Sequence, residues 1–260
     1  MTDAAAPPVQ TVRAFERGLR VIRAFDGDHP MMTLAQVARA TGLNRATARR
    51  LLHTLEELGY VRQRGDTFAL TPRVLELGYA FLSSFALPEL ALPYLEELSD
   101  ELQEAASVGV LDGTDVVYVA RVPAKRVMTV SIGLGSRFPA YRTSLGRALL
   151  CDATEEQLRE LWEASDRSSP TPRTITDLDG LLQEIDQTRS RGWALVDQEL
   201  ELGVRSLAAP LRDGAGRIVA AMNVSTHASR TTRSELRSRF APALLRTAQA
   251  VEGTLTTRPT

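Results

Sequence analysis

At 260 residues, with 43% apolar and 24% charged side chains, the chain has material for one large or two ordinary domains and the composition of a globular protein. Its single cysteine, Cys151, excludes an internal disulfide and a multi-thiolate metal site, and His29, His53 and His227 lack metal-ligand spacing. The net charge of −1 hides an asymmetry: residues 1–85 carry +3 and the remainder −4, and within 39–64 six arginines face only Glu56 and Glu57.

No apolar run reaches the roughly 18 residues that span a membrane. The opening MTDAAAPPVQT has neither a basic n-region nor an apolar h-region, so residues 1–12 read as a short flexible arm of a cytoplasmic protein. Of the basic side chains only Lys125 is lysine, a bias that a GC-rich genome explains without reference to function.

Phe15, Leu19, Val21, Ile22 and Phe25 recur at helical spacing, giving a first helix that DGDHP interrupts. A capping box from Thr33 to Gln36 opens a second helix, which Gly42 closes. Asn44 then caps a third. With Ala48 at zero and 100° per residue, Leu51, Leu52 and Leu55 fall within about 60° and form a buried stripe. Ala46, Thr47, Arg49, Arg50, His53 and Thr54 sweep around the other side. YVRQRGDTFALT follows as two short strands around Gly65-Asp66.

Helix, helix, tight turn, helix and hairpin is the order of a winged helix-turn-helix, in which the helix after the turn enters the major groove and the wing flanks it. Cations fall at both places: Arg45, Arg49 and Arg50 on the helix, Arg62 and Arg64 on the wing. Phosphate contact needs exposed cations and base readout favours the arginine fork. A merely solvated basic face would not account for their coincidence. The expected partner is double-stranded operator DNA.

From Thr71 two helical patterns are separated near Ala86–Pro88, the first a linker helix. Beyond them α and β signals mix. ASVGVLDGTDVVYVARV is a strand, an Asp-Gly turn and a strand, and VMTVSIGLG a third strand. Thr154 to Gln157 caps a helix, and the helix over DLDGLLQEIDQTRSRG ends at Gly192. WALVD, RSLAAPL and IVAAMNVS are three more strands. A helix capped by Thr232 and Glu235 runs to about Thr254. The expectation is an α+β chain divided into an arm (1–12), a winged helix-turn-helix domain (13–72), a linker helix (73–87) and an effector domain (88–256), with an antiparallel sheet flanked by helices.

In that second domain Thr143 and Ser144 stand at a helix entry with Gly146 just inside, a place that favours an anion, although Thr143 could simply cap its own helix. Ser206, Asn223 and Ser225 alternate along two strands and point either into one cavity or toward neighbouring backbone. Arg121, Arg126, Arg137 and Arg142 are candidate carboxylate partners. Trp162 and Trp193 read as core. Catalysis finds no support: there is no nucleophile elbow and no G-x-G-x-x-G helix entry, and Cys151 on the apolar RALLC helix reads as a buried thiol.

FERGLRVIRAF, LAQVARATGLNRATARRLLHTLEELGYV, TSLGRALL and LVDQELELGVRSLAAPLRDGAGRIVAAMNVS together resemble the IclR family of bacterial transcriptional regulators, over roughly Val12 to Thr254. VYVARVPAKRVMTVSIGLGSRFPAYRTSLGRALL is most similar to its subgroup governing protocatechuate and 4-hydroxybenzoate catabolism through the β-ketoadipate pathway. The resemblance implies a winged helix, a linker helix and a GAF-like effector domain. It implies DNA contacts from Thr33, Asn44, Arg45, Ala46, Thr47, Arg49, Arg50, His53, Arg62 and Arg64. Effector contacts are implied at Met128, Tyr141, Arg142, Thr143, Ser144, Leu145, Gly146, Asp197, Ser206, Asn223 and Ser225. The expected ligand is a small carboxylate, an aromatic acid or one like β-ketoadipate, with no cofactor or metal. Further expectations are homodimers pairing into homotetramers and, should the protein activate, contact with RNA polymerase. An effector would act by linkage, favouring one placement of the winged helices over another.

Overall fold

A computed structural model describes residues 11–84, 86–124 and 132–257. It divides into two units, residues 1–84 and 85–260.

The first unit begins with α1 (Arg13–Arg23). A two-residue strand β1 (Met32–Thr33) leads directly into α2 (Leu34–Thr41). The expected capping box is formed, with the Thr33 hydroxyl and the Gln36 side chain each satisfying the other's backbone N–H. Gly42 ends α2 at φ +69°, a left-handed conformation that a side chain would strain. The Asn44 side chain accepts from Thr47 N at 2.8 Å and starts α3 (Arg45–Glu57). β2 (Val61–Arg64) and β3 (Thr67–Leu70) pair antiparallel across the two-residue turn Gly65-Asp66. β1 adds to β3, giving the order β1-β3-β2; so short a strand leaves no period-2 signature and was not expected from the sequence. Val21, Phe25, Met32, Val37, Leu52, Leu55, Val61 and Phe68 form the core. The α3 stripe is buried at Ala48, Leu52 and Leu55, while Leu51 packs against the core from its margin. Of the apolar residues that marked the first helix, Phe15 and Leu19 are 69% and 41% exposed. α4 (Leu75–Ser84) closes this unit with Leu75, Leu77 and Tyr79 exposed.

The second unit opens with α5 (Leu87–Leu102). A six-stranded antiparallel sheet follows, in the order β6-β5-β4-β9-β8-β7. Its strands are β4 (Ala105–Asp112), β5 (Asp115–Val122), β6 (Arg137–Pro139), β7 (Ala194–Asp197), β8 (Val204–Arg212) and β9 (Ile218–His227). Between β6 and β7 come α6 (Ser144–Leu149), α7 (Glu155–Ala164) and α8 (Leu178–Arg191). Of the strand expected over VMTVSIGLG, residues 127–131 lie outside the described residues and residues 132–135 contain a turn instead; the strand that pairs with the outer edge of β5 is β6. The C-terminal helix is capped by Thr232 and Glu235 as expected. It is interrupted, however, by a π turn (Leu236–Phe240) between α9 (Arg233–Glu235) and α10 (Ala241–Thr257).

Strand alternation gives this sheet two faces. Leu195, Leu207, Ala209, Met222 and Val224 share a core with α5 and α10 residues such as Leu95 and Leu244. Ala194, Ala208, Ala221, Val116 and Tyr118 face a second core with Leu145, Leu158, Trp162, Leu181 and Ile185. Cys151, Trp162 and Trp193 are buried, as read from the sequence. Burial comes first in pushing the Cys151 thiol up to about 11, which argues against a thiolate nucleophile.

Candidate functional site

In the first unit α3 exposes Arg45, Ala46, Arg49, Arg50 and His53, and the hairpin exposes Arg62 and Arg64. Arg49, Arg50 and His53 line a groove between α3 and the hairpin, with Gln63, Gly65 and Asp66 on its other side. The Glu56 carboxylate accepts from Gln63 N at 3.2 Å and ties the wing to the helix, a contact the sequence reading missed because it spans two elements. None of Arg45, Arg49, Arg50, Arg62 and Arg64 forms an ion pair among the described residues. His53 Nε2 lies 3.5 Å from Glu57. The Thr33 hydroxyl and the Asn44 side-chain oxygen are occupied by helix capping, and Thr47 is half-buried. The hydrogen-bonding capacity left on this face therefore lies mainly in its guanidinium groups.

In the second unit a cavity lies on the face of the sheet that carries Tyr118, Val196, Ser206 and Ser225. Arg121, Ile132, Arg142, Thr143, Ser144, Leu200 and Val204 complete its lining. Its enclosed space is about 20 Å³, room for about one water. Polar groups here are incompletely satisfied: Arg142 Nε, Ser144 Oγ and Asn223 Oδ1 are buried without a hydrogen-bond partner. Asn223 Nδ2 donates to Ser225 Oγ at 3.4 Å. Arg121 reaches Ser107 Oγ at 3.3 Å, and burial pulls its pKa down. Burial likewise comes first in pushing the Tyr118 phenol up to about 12, so it stays protonated. Among the described residues the lining thus offers two guanidinium groups, several hydroxyls and no carboxylate.

Of the expected effector residues, Arg142, Thr143, Ser144, Ser206 and Ser225 line this cavity, and Asn223 adjoins it through Ser225. Asp197 does not. Val196 faces the cavity, so the next residue along β7 points to the opposite face, where Arg205 (2.6 Å), Arg233 (2.7 Å) and Arg173 (3.4 Å) surround its carboxylate. Burial alone would raise its pKa, but the hydrogen bonds from Arg205 and Arg233 hold it at about 2.

Tyr141, Leu145 and Gly146 serve the packing instead. The Tyr141 hydroxyl donates to Ser168 O at 3.0 Å and its ring meets Trp162 edge-on. Leu145 is fully buried. A Cβ on Gly146 would overlap the Ala140 carbonyl. Thr143 Oγ1 caps Gly146 N at 3.0 Å, the bland alternative read from the sequence. Arg137 pairs with Asp112 and Asp115 on β4 and β5 and is absent from the lining. Met128 and Arg126 lie outside the described residues. Tyr118, Val196 and Val204 were missed, although strand alternation around Ser206 could have found Val204 and the register partner Val196.

The sequence matches known domains over both units. Residues 14–65 match the IclR helix-turn-helix domain, and residues 79–253 match the family described as bacterial transcriptional regulator IclR, C-terminal. The chain belongs to the IclR family. It is 45% identical over 251 residues to the Pca regulon regulatory protein of Pseudomonas putida, covering 92% of this chain and 86% of that protein. A structurally characterised transcriptional regulator from Rhodococcus sp. RHA1 superposes with a TM-score of 0.83 at 51% identity, covering 94% of this chain and 98% of the other. The inducer-binding domain of a double mutant of PobR from Acinetobacter, solved with 3-hydroxybenzoic acid, is 32% identical with a TM-score of 0.59, covering 64% of this chain and 97% of that domain. This IclR regulator accordingly binds DNA through its N-terminal unit and carries the family's effector-type domain in its C-terminal unit.

Proposed function

We propose that this regulator controls genes of aromatic-acid catabolism, gripping operator DNA with Arg45, Arg49, Arg50, Arg62 and Arg64 and answering to a small carboxylate, for which the water-sized cavity of the second unit must widen. Arg49 and Arg50 read base edges from the major groove, while the wing arginines contact phosphate. The observation that carries the effector reading is the pair Arg121 and Arg142. They line one cavity, partly buried, with no carboxylate among the described residues of its lining. A cavity of that charge is complementary to an anion. Ser144, Ser206, Ser225, Tyr118 and Asn223 supply further donors and acceptors. Asp197 has no part in this site. The Pseudomonas relative's name and the hydroxybenzoate carried by the Acinetobacter domain support the pathway.

The active form is a homodimer, which two-fold operators favour. Val12, Phe15 and Leu19 lie at helical spacing along α1 and are exposed, as are Leu75 and Tyr79 on α4; exposed apolar rows of this kind mark association surfaces. Dimers pairing into tetramers, and contact with RNA polymerase in an activating role, complete the reading.

A thermal-shift screen of 4-hydroxybenzoate, protocatechuate and β-ketoadipate tests the effector half, because a ligand of the folded state raises the melting temperature. Operator retention measured with and without the acid that binds tests the linkage. A melting temperature unmoved by every acid of the pathway would sink the effector assignment.

A further inference from the structure

Arg147, on α6, is fully buried and is not part of that cavity's lining. Its guanidinium grips Glu199 through two hydrogen bonds, Nη1 to Oε1 at 2.9 Å and Nη2 to Oε2 at 2.5 Å. Nε donates to Tyr141 O at 2.9 Å and Nη1 to Leu195 O at 3.3 Å. Glu184 on α8 stands 3.7 Å away. Glu199 is itself 8% exposed and belongs to the loop between β7 and β8. That loop is held from other directions as well. Thr171 Oγ1 donates to Gln198 O at 2.8 Å and Thr174 Oγ1 to Glu199 O at 2.7 Å. The Gln198 side chain accepts from Gly203 N at 3.1 Å, and its backbone is held at φ +65°, a costly conformation for a residue with a side chain.

The two ends of this ion pair belong to two different segments of the chain that line the cavity. α6 starts at Ser144, and the loop contributes Leu200 and leads into Val204, all three of them lining residues. A buried ion pair gains little net stability over apolar side chains of similar size, because desolvation offsets the attraction. What a bidentate pair does supply is fixed geometry.

We propose that Arg147 and Glu199 are positioning residues for the effector: they tie the α6 segment and the β7–β8 loop segment of the lining into one body, so that the loop stays ordered when the cavity widens for an acid, without touching the ligand. This rests on the cavity being the effector site. Loosening the lock leaves the fold standing but obliges an incoming acid to order the loop, which weakens its binding.

The test replaces both partners together, Arg147→Met with Glu199→Leu, so that no buried charge is stranded. The melting temperature is expected to stay within a few degrees of wild type, and operator affinity without acid is expected to be unchanged. Amides 198–204 should exchange faster with solvent, and affinity for 4-hydroxybenzoate or adipate, whichever binds wild type, should fall about tenfold or more. Should the pair of substitutions prevent folding, Glu199→Gln, which keeps an acceptor for one guanidinium N–H, is expected to give the same local acceleration. Arg142→Met is the control: it should lose acid binding while the loop stays protected. Unchanged exchange at 198–204 together with wild-type acid affinity overturns the proposal. If Arg142→Met also binds acid normally, it is the cavity assignment that fails. The exchange measurement needs no acid and decides the locking role even where none of the acids binds.

Discussion

Arginine is used in opposite ways by the two units. Of eleven arginines in the first, only Arg20 and Arg73 pair with carboxylates, each with a neighbour on its own helical turn. In the second, most described arginines are paired, and the exceptions are Arg121, Arg142, Arg167, Arg237 and Arg239. Arg167, Arg237 and Arg239 are exposed, whereas Arg121 and Arg142 are partly buried and share a cavity. The same side chain is thus available for a partner in one unit and structural in the other, except at one place. Total charge would not have revealed this. What separates the two uses is whether a carboxylate lies within reach.

Removing free cations should cost binding, and removing paired ones should cost stability. The largest effect is expected for Arg49→Ala with Arg50→Ala, which should weaken operator binding by about 2–6 kcal/mol in a fluorescence-anisotropy titration while leaving the melting temperature and acid binding intact. Retained operator affinity would move base recognition to another face. Next comes Arg142→Met, expected to cost about 1.5–3 kcal/mol of acid affinity by calorimetry, with DNA binding in the absence of acid untouched.

Asp197 probes the paired class. Its folded pKa of about 2 lies below the ordinary value of about 3.9, so its contribution is complete above about pH 4 and is lost as pH falls toward 2. Asp197→Asn should therefore destabilise by about 2 kcal/mol at neutral pH, and the gap to wild type should narrow through that acid window in pH-dependent melts. A gap that stays constant down to pH 2 would separate its stabilising role from its charge. The smallest effect belongs to the wing: Arg62→Ala should lower affinity for all sequences alike and reduce the salt slope by about 1, and a change of sequence preference instead would promote it to base readout.

Much of the first unit was legible because its determinants are local. The capping box at Thr33 and Gln36, the Gly42 terminator and the Asn44 cap each lie within a few residues of what they control. The cavity was only half legible. Ser144, Ser206 and Ser225 could be placed by alternation and helix entry, but a one-residue change of face carried Asp197 to the other side of the sheet. Arg147 sits in GRALL, where nothing nearby marks it as buried; its partner is 52 residues further along, a distance no periodicity spans. The π turn at Leu236–Phe240 interrupts an otherwise ordinary helical pattern, and its residues give no warning of it.

Gly146 bears on how such a pocket diversifies. Backbone meets backbone where α6 passes Ala140, and no rotamer change can create space there. That packing holds Ser144 at the start of the helix, while the cavity lining also includes Leu200 and Val204, whose bulk a single codon can alter. Regulators built on this plan should therefore acquire new ligand sizes by trimming or extending those two aliphatic groups while the glycine turn stays as it is.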